Sequence, residues 1–466
     1  MKELRRQSGS IGTLLLLASI GIPGVAAAQA RGQRVIKPPD DAARFVVIPL
    51  RAPDRKSSVE ATDVLREKVT EEFDMQRDKF YVLSKQNTCA VLEAAGFACD
   101  TAANPTTAKL LAQQLRADEY LEGTLTRTAG GVTLDTRMVL TRNNSLYQPL
   151  PKAEGKNYDQ AADRVAKSLR EARKGLAGYK SCELAINTGK NADAIPAARA
   201  AIAAYPNSTL GRLCLAQAIL NTKGPSDSII AITRKVLEID AKNAPALELI
   251  ADAFISNKME DSAVVAMTNL LTANPGDPRT IAKVIDFLGS VKRPEIAIPI
   301  IKTALADNPG DPQLIRQYWL ILLQAKQYKE ATTAGEQLIK TDTAAADSTF
   351  FVRLATAYAV DSQPQKAAEA AARGVAKFPR NGSLVALQGR LLRGAGQNQQ
   401  ALELMRRAIG MNPKLDRGWL TIAQLQFDLG QTDSGFVSLK QALANGEDKE
   451  LVGQTALVEG NKWYKA

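Results

Sequence analysis

Apolar and polar positions change period several times along this chain of 466 residues. An apolar run from Ile11 to Ile22 follows Lys2, Arg5 and Arg6 and ends in Pro23-Gly24. Residues 44–50 (RFVVIPL) form a short β-rich apolar run. Ala61, Leu65, Val69 and Phe73 then recur every fourth residue, the spacing of one helix face. Phe80 to Leu83 reads as a second strand, and two short helices are expected near 86–95 and 106–116. Tyr120–Thr128 and Val132–Thr141 read as a hairpin joined by Ala129-Gly130-Gly131, with Val132, Leu134, Thr136, Met138 and Leu140 alternating against Thr133, Asp135 and Arg137. A long helix is expected over 157–174. From there to the C-terminus the pattern is helical throughout.

The helical part repeats. NPGDP occurs at 274–278 and again 34 residues later at 308–312. Pro206, Pro275, Pro309, Pro379 and Pro413 mark one corner at steps of 69, 34, 70 and 34, with Ala241 and Thr343 standing where a proline is missing. Ala263, Ala297, Ala331, Ala367 and Ala401 form an independent ladder that Ala194, Ile229 and Gly435 extend. A fixed period of this length marks a stack of identical supersecondary units. Eight units fit between about 175 and 446, with a last helix running to Trp463 as a cap.

A unit of 34 residues with this layout resembles the tetratricopeptide repeat. Residues 382–415 carry the family pattern at Val385, Gly389, Leu392, Ala401, Met405, Ala408 and Pro413, and the unit from 348 carries it at Phe351, Leu354, Ala355, Tyr358 and Ala367. Gln388 and Gly435 depart from it, and the 348 unit is two residues longer. The resemblance implies pairs of antiparallel helices in a right-handed superhelix. The first helix of each pair would line the concave face. Its face-directed positions here are Glu248, Asp252, Arg279 and Asp286, then Arg316, Arg390, Arg393 and Arg417. These imply a groove running from mixed-acidic to basic, a site for an extended, partly acidic segment of another protein; an ordinary solvated surface is the alternative. They do not match the Lys/Asn clamp of chaperone-tail-binding members. Trp319 and Trp419 fall at core positions of their repeats, and Asp277 and Asp311 at helix starts.

The preceding region resembles the amino-terminal α/β domain of TolB-type periplasmic proteins. RFVVIPL, YVLSKQNTCAVLEAAGF and LRADEYLEGTLTRTAGGVTLDTRMVL carry the likeness. It implies an interaction module. The organisation expected is thus mainly α: residues 1–30 a leader, 31–43 a linker, 44–150 an α/β domain, 151–174 a connecting helix and 175–466 a tetratricopeptide superhelix with its capping helix.

Composition narrows the chemistry. The chain has no histidine. Serine and cysteine triads that need an imidazole base are excluded, as are zinc sites with imidazole ligands. No Walker loop, G-x-G-x-x-G or G-x-S-x-G lies in a strand–turn–helix setting. Glu71-Glu72 is expected on an exposed helix face. No catalytic residue, cofactor or metal site is therefore expected.

The basic start, apolar run and Ala28-Gln29-Ala30 fit a Sec-type signal peptide cut near Ala30, with a retained anchor as the alternative. Later segments are too short in apolar residues to span a membrane. Export makes disulfides reasonable for Cys89, Cys99, Cys182 and Cys214, and Cys89–Cys99 and Cys182–Cys214 are the local pairings, with buried thiols the alternative. The formal charge of +11 falls to +9 without residues 1–30, and +8 of this lies in 151–466. Export argues against nucleic acid as the anionic partner. The expected function is an exported, non-enzymatic scaffold binding other proteins of the bacterial cell envelope, periplasmic or secreted; an accessory protein associated with peptidoglycan and binding glycan or an envelope synthase is the alternative.

Overall fold

A computed structural model describes residues 39–465, apart from 95, 97, 100, 101 and 103. The expected leader and most of the linker lie outside the described residues. The first unit is a three-layer α/β/α arrangement. In chain order it runs β1 (Ala43–Val47), α1 (Arg55–Glu72), β2 (Phe80–Val82), α2 (Lys85–Ala94), α3 (Pro105–Gln114), β3 (Glu119–Thr128), β4 (Gly131–Leu140), β5 (Asn143–Pro149), β6 (Ala153–Gly155) and α4 (Tyr158–Arg173). The sheet order is β2-β1-β3-β4-β5, with β6 also on β4. β1 is parallel to β2 and β3; the other pairs are antiparallel.

β1 explains its own sequence. Phe45 and Val47 pack with α1 and α4 on one face, while Val46 and Ile48 pack with α2 and α3 on the other. A strand buried on both faces has no polar side to show, so it reads as a continuous apolar run. The β3–β4 hairpin pairs Thr128 with Gly131, leaving Ala129-Gly130 as a two-residue turn. β5 and β6 carry little apolar signal, NNSLYQP and AEG, and owe their place to the edge that β4 offers them. The helix over 158–173 is more than a connector. Ala161, Ala162, Val165 and Leu169 bury one stripe beside α1, and the same apolar cluster continues through Tyr179 and Cys182 to Cys214.

The remaining helices form eight antiparallel hairpins. They are α5 (Leu176–Asn187) with α6 (Asn191–Ala204), α7 (Thr209–Asn221) with α8 (Ser226–Ile239), and α9 (Ala244–Ser256) with α10 (Glu260–Ala273). Then come α11 (Pro278–Ser290) with α12 (Ile298–Asp307), α13 (Pro312–Gln324) with α14 (Tyr328–Thr341), and α15 (Ser348–Val360) with α16 (Pro364–Lys377). The last are α17 (Gly382–Gly394) with α18 (Asn398–Met411) and α19 (Gly418–Asp428) with α20 (Thr432–Ala444), followed by α21 (Lys449–Lys465). The fold is a helical solenoid of the tetratricopeptide kind behind an α/β unit.

Local chemistry sets the corners. Asn243, Asp277, Asp311, Asp347 and Asn381 cap the first helices of successive hairpins through their side chains. The fourth hairpin breaks its second helix into a 3-10 turn at Pro294–Ala297 before α12, because Pro299 cannot donate an in-helix hydrogen bond. The two extra residues lie ahead of residue 348, in the connection between α14 and α15, beside a 3-10 turn at Thr343–Ala345. The ladder of alanines is buried, Ala263, Ala297, Ala331, Ala367 and Ala401 each having no exposure. Gly435 replaces alanine there because a Cβ would sit 2.4 Å from the Phe427 ring.

Candidate binding surfaces of the repeat array

The eight charged positions singled out by the repeat register lie on the first helices or, for Arg417, just before one, and they separate into groups. Glu248 and Asp252 lie on α9. Lys283 of α11 bonds both, at 2.8 Å to Glu248 Oε1 and 3.1 Å to Asp252 Oδ2. Burial works against the Lys283 charge, but the two carboxylates outweigh it and hold its pKa above the ordinary lysine range. The two acidic residues of α9 are therefore largely neutralised by the neighbouring repeat. Lys283 was not among the expected residues. Its position, 35 residues beyond Glu248 and so about one repeat further on, is a signal visible only once adjacent hairpins are stacked. Arg279 and Asp286 are exposed on α11, and Arg316 is half-buried on α13. They do not join one site.

Arg390, Arg393 and Arg417 do converge. They line a cavity of about 560 Å³ between α17, α19 and α21. Arg393 donates to Asp428 at 2.8 Å and to Gln424. Arg390 has one long contact, 3.5 Å to the Asp416 carbonyl. Arg417 forms no ion pair among the described residues, and its backbone is left-handed at φ 52°. Burial pulls the Arg390 pKa below the ordinary value, Asp416 opposes this, and the nearby Arg417 adds to it. Leu420, Leu451 and Val458 supply apolar lining, and α21 closes the end. Arg390 and Arg417 thus bring two guanidiniums, neither in an ion pair among the described residues, to a cavity whose own carboxylates, Asp428 and Glu459, are paired with Arg393 and Lys462.

The N-terminus of α19 is unavailable for that role. Glu447 accepts from Trp419 N at 2.8 Å and from Leu420 N at 3.0 Å, replacing the side-chain cap that Arg417 cannot give. Trp319 is buried at the core, as its repeat position implies, whereas Trp419 is half-buried. Glu72, expected to be solvated, bonds Arg170 at 2.5 Å.

The structure places the sulfurs of Cys89 and Cys99 and of Cys182 and Cys214 at bonding distance. The second pair joins α5 to α7, the first helices of two successive hairpins. Among the described residues, no cluster of three or more His, Cys, Asp or Glu side chains is arranged to hold a metal ion. No described helix is long and apolar enough to cross a membrane.

No protein-family model matches the chain, and no curated protein matches it in sequence. Solved structures similar to part of it are tetratricopeptide repeat proteins. A crystal structure of MamA matches 34% of this chain and 92% of its own length at 18% identity, with a TM-score of 0.32. YrrB, described as a TPR protein with an unusual peptide-binding site, matches 43% of this chain and 97% of its own at 18% identity, TM-score 0.31. PilF of Pseudomonas aeruginosa matches 45% and 94% at 16% identity, TM-score 0.30.

Proposed function

We propose that this protein is an exported, non-enzymatic scaffold of the bacterial cell envelope. The face of the first helices holds an extended, partly acidic segment of a partner protein, and the cavity of Arg390, Arg393 and Arg417 anchors it. The observation that carries this reading is the pair Arg390 and Arg417. Two guanidiniums without carboxylate partners face one cavity, which a ligand carboxylate would neutralise with charge-assisted hydrogen bonds. The neutralised α9–α11 cluster leaves the basic end as the attractive one. The α/β unit, likened in sequence to the TolB-type domain, is the dock for a second envelope component. Two cysteine pairs suit an oxidising compartment such as the periplasm.

The test is crosslinked capture from envelope extract on the full chain, compared with Arg390→Gln/Arg417→Gln. Neither side chain is part of a buried ion pair, so the variant is expected to fold. The proposal requires a protein enriched by the parent and depleted in the variant. Equal capture by both would overturn the basic anchor.

A further inference from the structure

A second cleft, of about 950 Å³, lies where the sheet meets the outer ends of the first hairpins, away from the face of the first helices. Its sheet side is built from β3, β4 and the β5–β6 turn. Its repeat side is the stretch preceding α7, the start of α9 and the end of α10. Ligand sites form preferentially at such unit boundaries. This boundary is preformed. Tyr147 donates to Asp240 Oδ2 at 2.5 Å, and Gln148 bonds Asn207 O at 3.0 Å and Thr209 N at 2.8 Å.

The charges around the cleft are unbalanced. Arg51, Arg137, Lys152 and Lys242 face it, against Asp135 and Asp240. Both carboxylates are engaged, Asp240 by Tyr147 and Asp135 by Lys152 at 3.4 Å. Arg137 is engaged by the buried Glu122 at 2.7 Å. Among the described residues, the side chains of Arg51 and Lys242 have no hydrogen-bond or ion-pair partner. Lys242 stands just before the N-terminus of α9, whose first residues Ala244 and Pro245 line the cleft, so the helix dipole adds to the positive field. Thr136, which also lines it, is 2% exposed and its hydroxyl is unpartnered.

The neutral groups narrow the ligand. Asn144, Ser145, Asn207 and Asn274 bring amide and hydroxyl side chains that bond nothing else in the described structure. Such groups both donate and accept, as sugar hydroxyls do. A peptide would commonly add itself to a free strand edge; β3 and β4 are each paired on both sides, and the outer side of the edge strand β5 is taken up at Tyr147 and Gln148 by Thr209 and Asn207. We infer that this cleft is a binding site for an acidic oligosaccharide, with Arg51 and Lys242 holding its carboxylates and the asparagines its hydroxyls. The site is independent of the arginine cavity on the first-helix face.

Calorimetric titration of the full chain with trigalacturonate tests this, with maltotriose and hexaglutamate as comparators. Trigalacturonate is expected to bind, with affinity falling about tenfold or more in Arg51→Gln/Lys242→Gln at an unchanged melting temperature. Maltotriose, lacking carboxylates, is expected to bind at least about tenfold more weakly than the acidic sugar. Arg390→Gln/Arg417→Gln is expected to leave this binding intact, which separates the cleft from the proposed protein anchor. No binding of trigalacturonate, equal affinity in the cleft variant, or equal affinity for hexaglutamate would overturn the assignment.

Discussion

One residue in each hairpin turn takes a left-handed backbone: Gly189, Lys223, Lys258, Lys292, Lys326, Ser362, Gly396 and Gly430. They form a further ladder with nearly the same period, invisible to a search for apolar or proline positions because its residue types vary. It closes the first helix of each pair; Lys258 N bonds Ile255 O at 3.0 Å and Met259 N bonds Phe254 O at 2.9 Å. A side chain in this conformation costs about 1 kcal/mol that glycine avoids, and glycine's extra unfolded-state freedom offsets part of the gain. Lys258→Gly is therefore expected to raise stability by about 0.5 kcal/mol and Gly396→Lys to lower it by a similar amount. Denaturant midpoints moving in opposite directions would bear this out; a drop for both would show that the lysine is held by something other than its backbone. A second residue-level expectation concerns Asp78. Arg170, bonded at 3.1 Å, and next Arg77 hold its carboxyl well below the usual range. A depressed carboxylate stabilises the fold fully above its unfolded value of about 3.9, and that contribution fades as pH falls through the lowered folded value. Asp78→Asn should thus melt below the parent at neutral pH, with the gap closing below about pH 4. A gap constant with pH would refute the pairing.

At the scale of elements, what the sequence made legible followed from where burial is symmetric or periodic. β1, the β3–β4 hairpin and the hairpins of the array carry a repeating or unbroken apolar signal, and residues 120–128, 132–141 and 157–174 fall within a few positions of the observed elements. β5 and β6 were not readable, because their places come from β4 and not from their own side chains. Register assigned Arg390, Arg393 and Arg417 to one expected face together with Arg279, Asp286 and Arg316, which do not join them. The cavity that the three arginines line, its closure by α21 and the bridging Lys283 were not readable, since all depend on how neighbours stack. The same holds for Glu447, a carboxylate that caps a helix beginning 29 residues earlier. Glu447→Ala should remove two charge-assisted bonds at that helix start, costing about 1–2 kcal/mol, and speed hydrogen exchange at Trp419 and Leu420. Unchanged exchange there would mean that water caps α19 equally well. For the cysteines, mapping without reduction should link the Cys89 peptide to Cys99 and the Cys182 peptide to Cys214. Cys182→Ala/Cys214→Ala, which opens a bridge spanning 32 residues, should cost about 2–4 kcal/mol. Free thiols at all four positions would remove the cysteine support for an exported chain.

The whole molecule is a solenoid whose first end is welded to the sheet. One buried apolar cluster contains Phe45, Leu121 and Leu134 of the sheet, Leu169 of α4, Tyr179 and Cys182 of α5, and Leu210 and Cys214 of α7. Later hairpins belong to separate clusters, one around Ile250 and Met267 and another around Trp319, Phe351 and Met405. Polar bonds cross the same joint: Glu119, 1% exposed, receives Arg173 of α4 and Lys180 of α5, and Arg142 bonds Glu183 at 3.1 Å. In a repeat stack, stability is a sum of units and nearest-neighbour contacts, so damage spreads only as far as a shared core extends. Leu169→Ala opens a cavity in the welded cluster and should cost about 2–5 kcal/mol there. Hydrogen exchange should quicken together in β4, α4, α5 and α7 while α17 to α20 keep their protection. All three tryptophans lie at position 319 or beyond, so their fluorescence transition should stay where it was while circular dichroism loses signal earlier. Exchange that quickens in the sheet and leaves α5 and α7 protected would show instead that the sheet and the solenoid are independent bodies, and with them the preformed cleft between the two would fall.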